Sequence, residues 1–450
     1  MVGRPGTSLG SVFAPTSVAV YGASARDSTR LGNQLLRNAT GGLGSGAVVA
    51  IHPGATEIAG APARAALGEP VDLALISVPA PAVETALRDA ADGGARAAIV
   101  LSSGFGETGT AGIAAERRLV DIAREAAMPL IGPNCMGVVS RLGPESWLNA
   151  SYFWSVPSLP GPISFISQSG AFGGMFFSEL TRRHLGLARF VSLGNSADVT
   201  ETDVLEWLAD DEETGVVALF SEAIRDGRRF VDAARRVSAE KPVVVLKGGK
   251  GVAGARAAAS HTGSMAGRHG AARAAFRRAG VVEAADSMSF FDSIAALAAS
   301  RGTTRAGRRV VIVTVSGGPG VLAADVGERI GLQLVTPSET SVDKLRALVP
   351  SFAATGNPVD LTPQCRPDRY GEAFEVLAAD PGIDGMVVIN CGLDVAEFGA
   401  AAAAAADTGI PMTAFVLDAP SVTLALERAG VALFDGPERA VVGYATRTRR

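Results

Sequence analysis

In the run Ser260-His261-Thr262-Gly263-Ser264-Met265-Ala266-Gly267 a single imidazole stands among small and hydroxyl-bearing residues, and Lys247-Gly248-Gly249-Lys250-Gly251 leads into it. Most histidines in proteins are structural, but this run supplies little bulk against which a ring can be buried. A nucleophilic imidazole needs an accessible nitrogen, a partner that fixes its tautomer, and donors for incoming phosphoryl oxygens. Small residues also suit a segment that must carry a phosphoryl group between sites. His261 is therefore the leading candidate for chemistry. A carboxylate that orients the ring and favours its cationic state is expected with it. The strand read at Val216–Phe220 ends Ser221-Glu222-Ala223-Ile224-Arg225-Asp226, which offers Glu222. His52 precedes a proline turn, and His184 and His269 lie in arginine-flanked helical stretches; these three are read as structural or surface groups.

A second constellation is Ser167-Gln168-Ser169-Gly170, which follows the apolar run Ile163–Ile166 and continues Ala171-Phe172-Gly173-Gly174. Two hydroxyls and a glycine at a helix start offer neutral donors, and the helix dipole adds partial positive charge, so a phosphate fits there. The same residues also suit a serine N-cap followed by glycines for close packing. Nearer the N-terminus, Val18-Ala19-Val20-Tyr21 runs into Gly22-Ala23-Ser24. Later strand ends carry Ser77-Val78-Pro79, Ser102-Ser103-Gly104-Phe105-Gly106-Glu107 and Gly132-Pro133-Asn134-Cys135. The full GxGxxG spacing is missing, and the second strand ends Ile51-His52-Pro53-Gly54 with no acid to grip a ribose hydroxyl. That disfavours a nicotinamide-dependent oxidoreductase but leaves room for another nucleotide-containing ligand.

Loops of this kind must be held by strands and helices, and the chain supplies both in alternation. Short apolar, β-branched runs ending at Gly, Pro, Ser or Asn are separated by longer Ala/Leu/Arg stretches of helical spacing. Three such rounds predict an α/β chain of three doubly wound domains with parallel sheets. Their boundaries fall in Arg141–Pro162, rich in turn residues and tryptophan, and in the small, basic Ser300–Arg308. Ala401–Ala406 reads as the middle of a helix. In such sheets ligands bind beyond the carboxyl ends of the strands.

Composition narrows the function. The 41 Lys and Arg against 45 Asp and Glu give a net charge of −4, too mild for a nucleic-acid or anionic-membrane binder. Three cysteines without a CxxC pair make no disulfide framework, and four histidines without ligand spacing make a metal site unexpected. No apolar run approaches the roughly 20 residues that span a bilayer, and Met1 to Gly10 lack a signal-peptide pattern, so a cytoplasmic protein is expected. Glycine, at 54 of 450 residues, exceeds the average usage of about 7% and is expected in tight backbone sites.

Taken together and in order, the first-round loops resemble the CoA-binding domain of the nucleoside-diphosphate-forming acyl-CoA synthetases, the superfamily of the succinyl-CoA synthetase α subunit. Within it the chain is most similar to ADP-forming acetate–CoA ligase α subunits. The resemblance implies a Rossmann-like CoA-binding domain (1–145), then a flavodoxin-like ligase domain with a phosphohistidine loop (146–302) and a second flavodoxin-like ligase domain (303–450). It implies CoA contacts at Gly22, Ser24, Val78, Pro79, Ser102, Gly104, Phe105, Glu107 and Asn134. Ser167, Gln168, Ser169 and Gly170 resemble the family's phosphate-binding Ser-x-Ser-Gly element. Ser-His-Thr-Gly around His261 resembles the phosphohistidine signature, and Glu222 fits the carboxylate that faces it, although Ala223 replaces the usual glycine. Leu193-Gly194-Asn195 is expected to shape the acyl-phosphate or phosphohistidine pocket. Relatives often carry a basic residue after the proline of the second strand; here Gly54-Ala55 follow Pro53, which turns attention to Arg26 or Arg30. Asn357-Pro358-Val359-Asp360-Leu361 resembles an element of the family's third domain, read as scaffold.

What the resemblance implies for function is an acid–CoA ligase, ADP- or GDP-forming, working on a small carboxylic acid through an acyl phosphate and a phosphohistidine. Nothing in the sequence looks like an ATP-grasp module, so ATP or GTP with Mg is expected on a separate ATP-grasp β-type subunit, in a hetero-oligomer. The alternative is a non-catalytic CoA- or acyl-CoA-binding module. Trp147, Phe153 and Trp154 either line an acyl pocket or seal two domains.

Overall fold

A strand buried on both faces reads as a continuous apolar, β-branched run, whereas one wetted on one face alternates. Val18-Ala19-Val20-Tyr21, Leu73-Ala74-Leu75-Ile76 and Ala97-Ala98-Ile99-Val100 are of the first kind, and each is buried along its whole length. The computed structural model describes residues 9–256, 269–299 and 306–448, and among these residues the strands form three sheets.

The first sheet contains β1 (Val18–Tyr21), β2 (Val48–Ile51), β3 (Glu57–Ile58), β4 (Ala61–Arg64), β5 (Leu73–Ile76), β6 (Ala97–Val100) and β7 (Leu130–Ile131), in the order β3-β4-β2-β1-β5-β6-β7. Its neighbours are parallel except β3 and β4. Alternate residues of β1, β5 and β6 face opposite layers. Ala19, Ala74 and Ala98 meet Val83, Leu87 and Leu119 of the helices Ala80–Asp92 and Thr110–Glu125. Val20, Leu75 and Ile99 belong with Leu35 and Leu36 of the helix Leu31–Leu43.

The second sheet contains β8 (Gly137–Arg141), β9 (Trp147–Ser151), β10 (Pro160–Ser167), β11 (Leu187–Ser192), β12 (Val216–Ser221), β13 (Val243–Lys247) and β14 (Val282–Ala284), in the order β14-β13-β12-β10-β11-β8-β9. Here the structure adds what the sequence reading left out. The stretch Arg141–Pro162 is no plain linker: β9 lies in it and pairs antiparallel with β8, which pairs antiparallel with β11. The turn residues Leu142 to Ser146 close that hairpin, with Leu142 N–H donating to the Ser146 carbonyl. One hydrophobic core runs from Val20 and Leu35 of the first sheet's layer to Val204 and Phe230 beside the second.

The third sheet contains β15 (Arg309–Thr314), β16 (Gln333–Leu334), β17 (Val359–Asp360), β18 (Gly385–Cys391), β19 (Met412–Leu417) and β20 (Ala432–Phe434); all its pairs are parallel. Asn357 ties it together. Its Oδ1 accepts from Ile312 N–H at 3.1 Å, and its Nδ2 donates to the Val310 and Val335 carbonyls at 2.7 and 2.9 Å. The alanine run lies inside the helix Ala396–Asp407, as its propensity predicts.

By compactness the chain divides into Met1–Ala285, with the first two sheets, and Asp286–Arg450, with the third. The helix Ser287–Ala298 belongs to the second unit, where Asp292 pairs with Arg439 at 2.6 Å. Among the described residues no helix is long and apolar enough to cross a membrane.

Candidate functional site

Strand order reverses at β1 in the first sheet and at β10 in the second, and the crevice at such a reversal is where open α/β sheets take ligands. Both reversals carry candidate residues.

At the first, a cleft of about 610 Å³ opens beyond the ends of β1, β2 and β5. Gly22, Ser24, Val78, Pro79 and Ser102 line it, together with Arg30 and His52. Gly22 sits at φ +100°, and a Cβ there would stand 2.1 Å from the Ser77 carbonyl oxygen, so only glycine fits. Asn33 fixes the turn that follows: its Oδ1 accepts from Ser24 N–H at 2.7 Å and its Nδ2 donates to the Ser24 carbonyl at 2.9 Å. Of the two arginines considered for the missing basic contact, Arg30 lies at the cleft and is exposed, with its guanidinium 3.5 Å from Asp27.

The other first-round candidates are elsewhere. Phe105 is in the core with Leu119. Glu107 holds its own loop, Oε1 accepting from Gly104 and Phe105 N–H at 2.5 and 3.2 Å. Its Oε2 accepts from Asn195 Nδ2 at 2.7 Å, and Glu116 Oε2 accepts from the same amide at 2.7 Å. Asn134 donates through Nδ2 to Asn195 Oδ1 at 3.2 Å. These residues join the first sheet's loops to the loop after β11 rather than line the cleft. Burial pushes the Glu107 carboxyl up, but the hydrogen bonds from Asn195, Gly104 and Phe105 outweigh it and leave the group below its ordinary value.

At the second reversal, Ser169 is the N-cap of the helix Gly170–Arg182 and accepts from Phe172 N–H. Ser167 is fully buried, and its hydroxyl donates to the Ser169 carbonyl at 2.7 Å. A Cβ at Gly170 would stand 2.3 Å from Met136 Cγ, so close packing requires that glycine. The helix's first N–H groups remain the natural anion donors. Gln168 turns inward. Its Oε1 accepts from Glu222 N–H at 2.6 Å and Ala223 N–H at 3.1 Å, while Nε2 donates to the Ala223 carbonyl at 2.8 Å and Glu201 Oε2 at 3.1 Å.

Glu222, half-buried, is held at both backbone groups. Gln168 takes its N–H, and Lys247 Nζ donates to its carbonyl at 2.5 Å and to the Gly248 carbonyl at 2.6 Å. Burial lowers the Lys247 ammonium below its ordinary value, opposed by the nearby charge of Glu222. Glu201, 1% exposed, is pushed above the ordinary carboxylate value by burial, against the pull of the Gln168 hydrogen bond. Arg225 crosses from the same loop to donate to the Asn195 carbonyl at 2.7 Å. The strand leading toward the histidine run thus passes beside Glu222, but His261 itself lies outside the described residues. His269, past that run, has Nε2 2.6 Å from Glu283 Oε1.

Comparison with known proteins now decides the family. A CoA-binding domain model matches residues 16–141, a succinyl-CoA ligase-like flavodoxin domain model 160–297, and a ligase-CoA domain model 310–426. The α subunit of an ADP-forming acetate–CoA ligase II from Pyrococcus furiosus is 38% identical over 383 residues, 84% of this chain and 81% of that one. The chain belongs to the family of ADP-forming acetate–CoA ligase α subunits. An ADP-forming acetate–CoA ligase I from Archaeoglobus fulgidus is 39% identical over 84% of this α-type chain, which spans 54% of that longer protein. Among solved structures, the acetyl-coenzyme A synthetase 1 of Ca. Korarchaeum cryptofilum in complex with phosphate and ADP superposes with a TM-score of 0.90 at 32% identity, covering 99% of this chain and 97% of that one. This α-type chain is accordingly an acid–CoA ligase component with a CoA-binding domain.

Sequence reasoning missed the inward use of Gln168, and it gave no role to Glu201 or Lys247. Lys247 stood in the quoted run before His261, but a lysine at a strand end carries no mark of the carbonyls it will meet. Tyr152, which also lines the cleft, was passed over between turn residues and its aromatic neighbours. Of those neighbours, Phe153 packs on Phe177 and Phe190 with ring centroids 4.9 and 5.5 Å apart, and Trp154 is exposed.

Proposed function

We propose that the α-type chain makes or uses an acyl-CoA through an acyl phosphate and a phosphohistidine on His261. CoA occupies the cleft at the end of β1, with Gly22, Ser24, Val78, Pro79 and Ser102 against it. In the synthetic direction a nucleoside triphosphate gives its terminal phosphoryl group to the His261 imidazole and leaves as the diphosphate. The phosphoryl group passes from nitrogen to a carboxylate oxygen of a small acid, which restores the imidazole and forms the acyl phosphate. The CoA sulfur then bonds to the acyl carbon, the acyl carbon–oxygen bond to phosphate breaks, and the thiol's proton leaves with the phosphate. Glu222 orients the imidazole and favours its cation, while the N-terminus of the helix from Gly170 stabilises phosphate oxygens. The organisation behind this is three domains, 1–145, 146–302 and 303–450, with the last as scaffold.

The observation that carries the reading is the double hold on Glu222, by Gln168 on one side and Lys247 on the other, at the reversal point of the second sheet. A carboxylate whose backbone is fixed this way suits a group that must meet an imidazole at one place. ATP or GTP with Mg belongs on an ATP-grasp β-type partner in a hetero-oligomer; the relative named an alpha subunit supports that division.

The test is acyl-CoA synthesis by the chain combined with an ATP-grasp β subunit. His261→Ala is expected to abolish turnover. Glu222→Gln and Gln168→Leu are expected to lower kcat by roughly tenfold or more, the cost of losing charge-assisted or buried hydrogen bonds. Wild-type turnover in His261→Ala would overturn the reading.

A further inference from the structure

The cleft of the first sheet is completed by a residue from the second. Tyr152 follows the last residue of β9, and its N–H donates to the Met136 carbonyl at 3.0 Å. Its side chain reaches the cleft wall, where the hydroxyl stands 2.6 Å from Ser77 Oγ. Ser77 is fixed in turn, since its N–H donates to the Tyr21 carbonyl at 3.0 Å and its own carbonyl abuts Gly22. The backbones that carry the two hydroxyls are thus both anchored.

Two hydroxyls hold two hydrogens, and one of them bridges the pair. Among the described residues, neither oxygen has another hydrogen-bond partner. The pair therefore keeps one hydrogen to give, whichever oxygen carries it, and both residues line the cleft. Burial pushes the Tyr152 hydroxyl up to about 12, so it keeps its proton at neutral pH. A spare O–H in the cleft wall is complementary to a ligand rich in acceptor oxygens.

We propose that the Tyr152–Ser77 hydroxyl pair is a CoA-positioning element that donates one hydrogen bond to an acceptor oxygen of CoA. This rests on the reading that CoA occupies the cleft. It adds a contact from the second sheet to a site otherwise built on the first.

The experiment is CoA binding to the full chain by calorimetry, with CoA-dependent thermal stabilisation as a second measurement. The double variant Tyr152→Phe/Ser77→Ala is expected to weaken CoA binding roughly three- to tenfold, the worth of one neutral hydrogen bond. At least one single variant is expected to reproduce most of that loss, because the ligand's acceptor meets one of the two oxygens and the hydroxyl left behind does not stand in its place. Melting temperatures without CoA should stay close to wild type, and the CoA-induced rise should shrink. Wild-type chain that binds CoA, with the double variant within twofold of it, overturns the proposal and leaves the cleft reading standing. If the double variant does not fold, both single variants within twofold of wild type overturn it equally. Failure of the wild-type chain to bind CoA overturns the cleft reading and the proposal together.

Discussion

Glu201 opens the helix Glu201–Ala209 as a buried carboxyl, and one of its oxygens takes the Gln168 amide that also holds Glu222. Its folded-state value lies above that of the unfolded chain because burial disfavours the charge. The folded protein therefore binds more protons than the unfolded one between those two values. Stability from this group is present at pH below the ordinary carboxylate value and falls as pH rises through the raised one. Across that window the stability difference between wild type and a Glu201→Gln variant, read from denaturant midpoints, is expected to shift against wild type as pH rises. Glu201→Gln should remove this component of the pH dependence and raise stability at neutral pH. A pH dependence unchanged in the variant would count against a Glu201 carboxyl raised by burial. Glu107 behaves in the opposite sense, since its lowered value makes its contribution vanish as pH falls.

At the scale of elements, the candidate site depends on loops from two sheets that touch. Gly194, at φ +55°, lies so close to the loop after β7 that a Cβ would stand 2.2 Å from the Asn134 carbonyl oxygen. Gly194→Ala is expected to destabilise the chain by about 1–3 kcal/mol from the backbone conformation alone, and by more from the clash. Denaturant unfolding checks this, and a change below about 0.5 kcal/mol would contradict the close approach. The fold was legible where strands are buried on both faces. Ser17–Tyr21, Val216–Phe220 and Met386–Ile389 declare themselves by apolar runs rich in β-branched residues, and their ends lie within two residues of the structure's own. It was not legible at β8 and β9, because Leu142 to Ser146 carries the turn residues of a linker and of a hairpin alike. The cleft residues were legible from loop chemistry at strand ends. The Asn195–Glu107 and Lys247–Glu222 contacts were not, since they join residues 88 and 25 positions apart and mark neither loop alone. Asn195, expected beside the acyl-phosphate site, faces Glu107, Glu116 and Asn134 with its side chain.

Over the whole molecule, the unit Met1–Ala285 holds both reversal points, one with the cleft and one with Glu222, while Asp286–Arg450 carries a third sheet tied by Asn357. The glycine surplus has a partial physical account in this frame. Gly22, Gly170 and Gly194 each sit where a side chain would strike a neighbouring loop, two of them against backbone, so the glycines let the strand-end loops close on one another. The central claim is that this chain carries the phosphoryl group on His261, and the most direct measurement is the phosphoenzyme itself. Full-length chain is incubated with radiolabelled acetyl phosphate, and the protein-bound label is tested for stability in acid and base. The account predicts acid-labile, base-stable label in wild type, slower labelling in Glu222→Gln, and none in His261→Ala. Absence of label in wild type, or full label in His261→Ala, would contradict it.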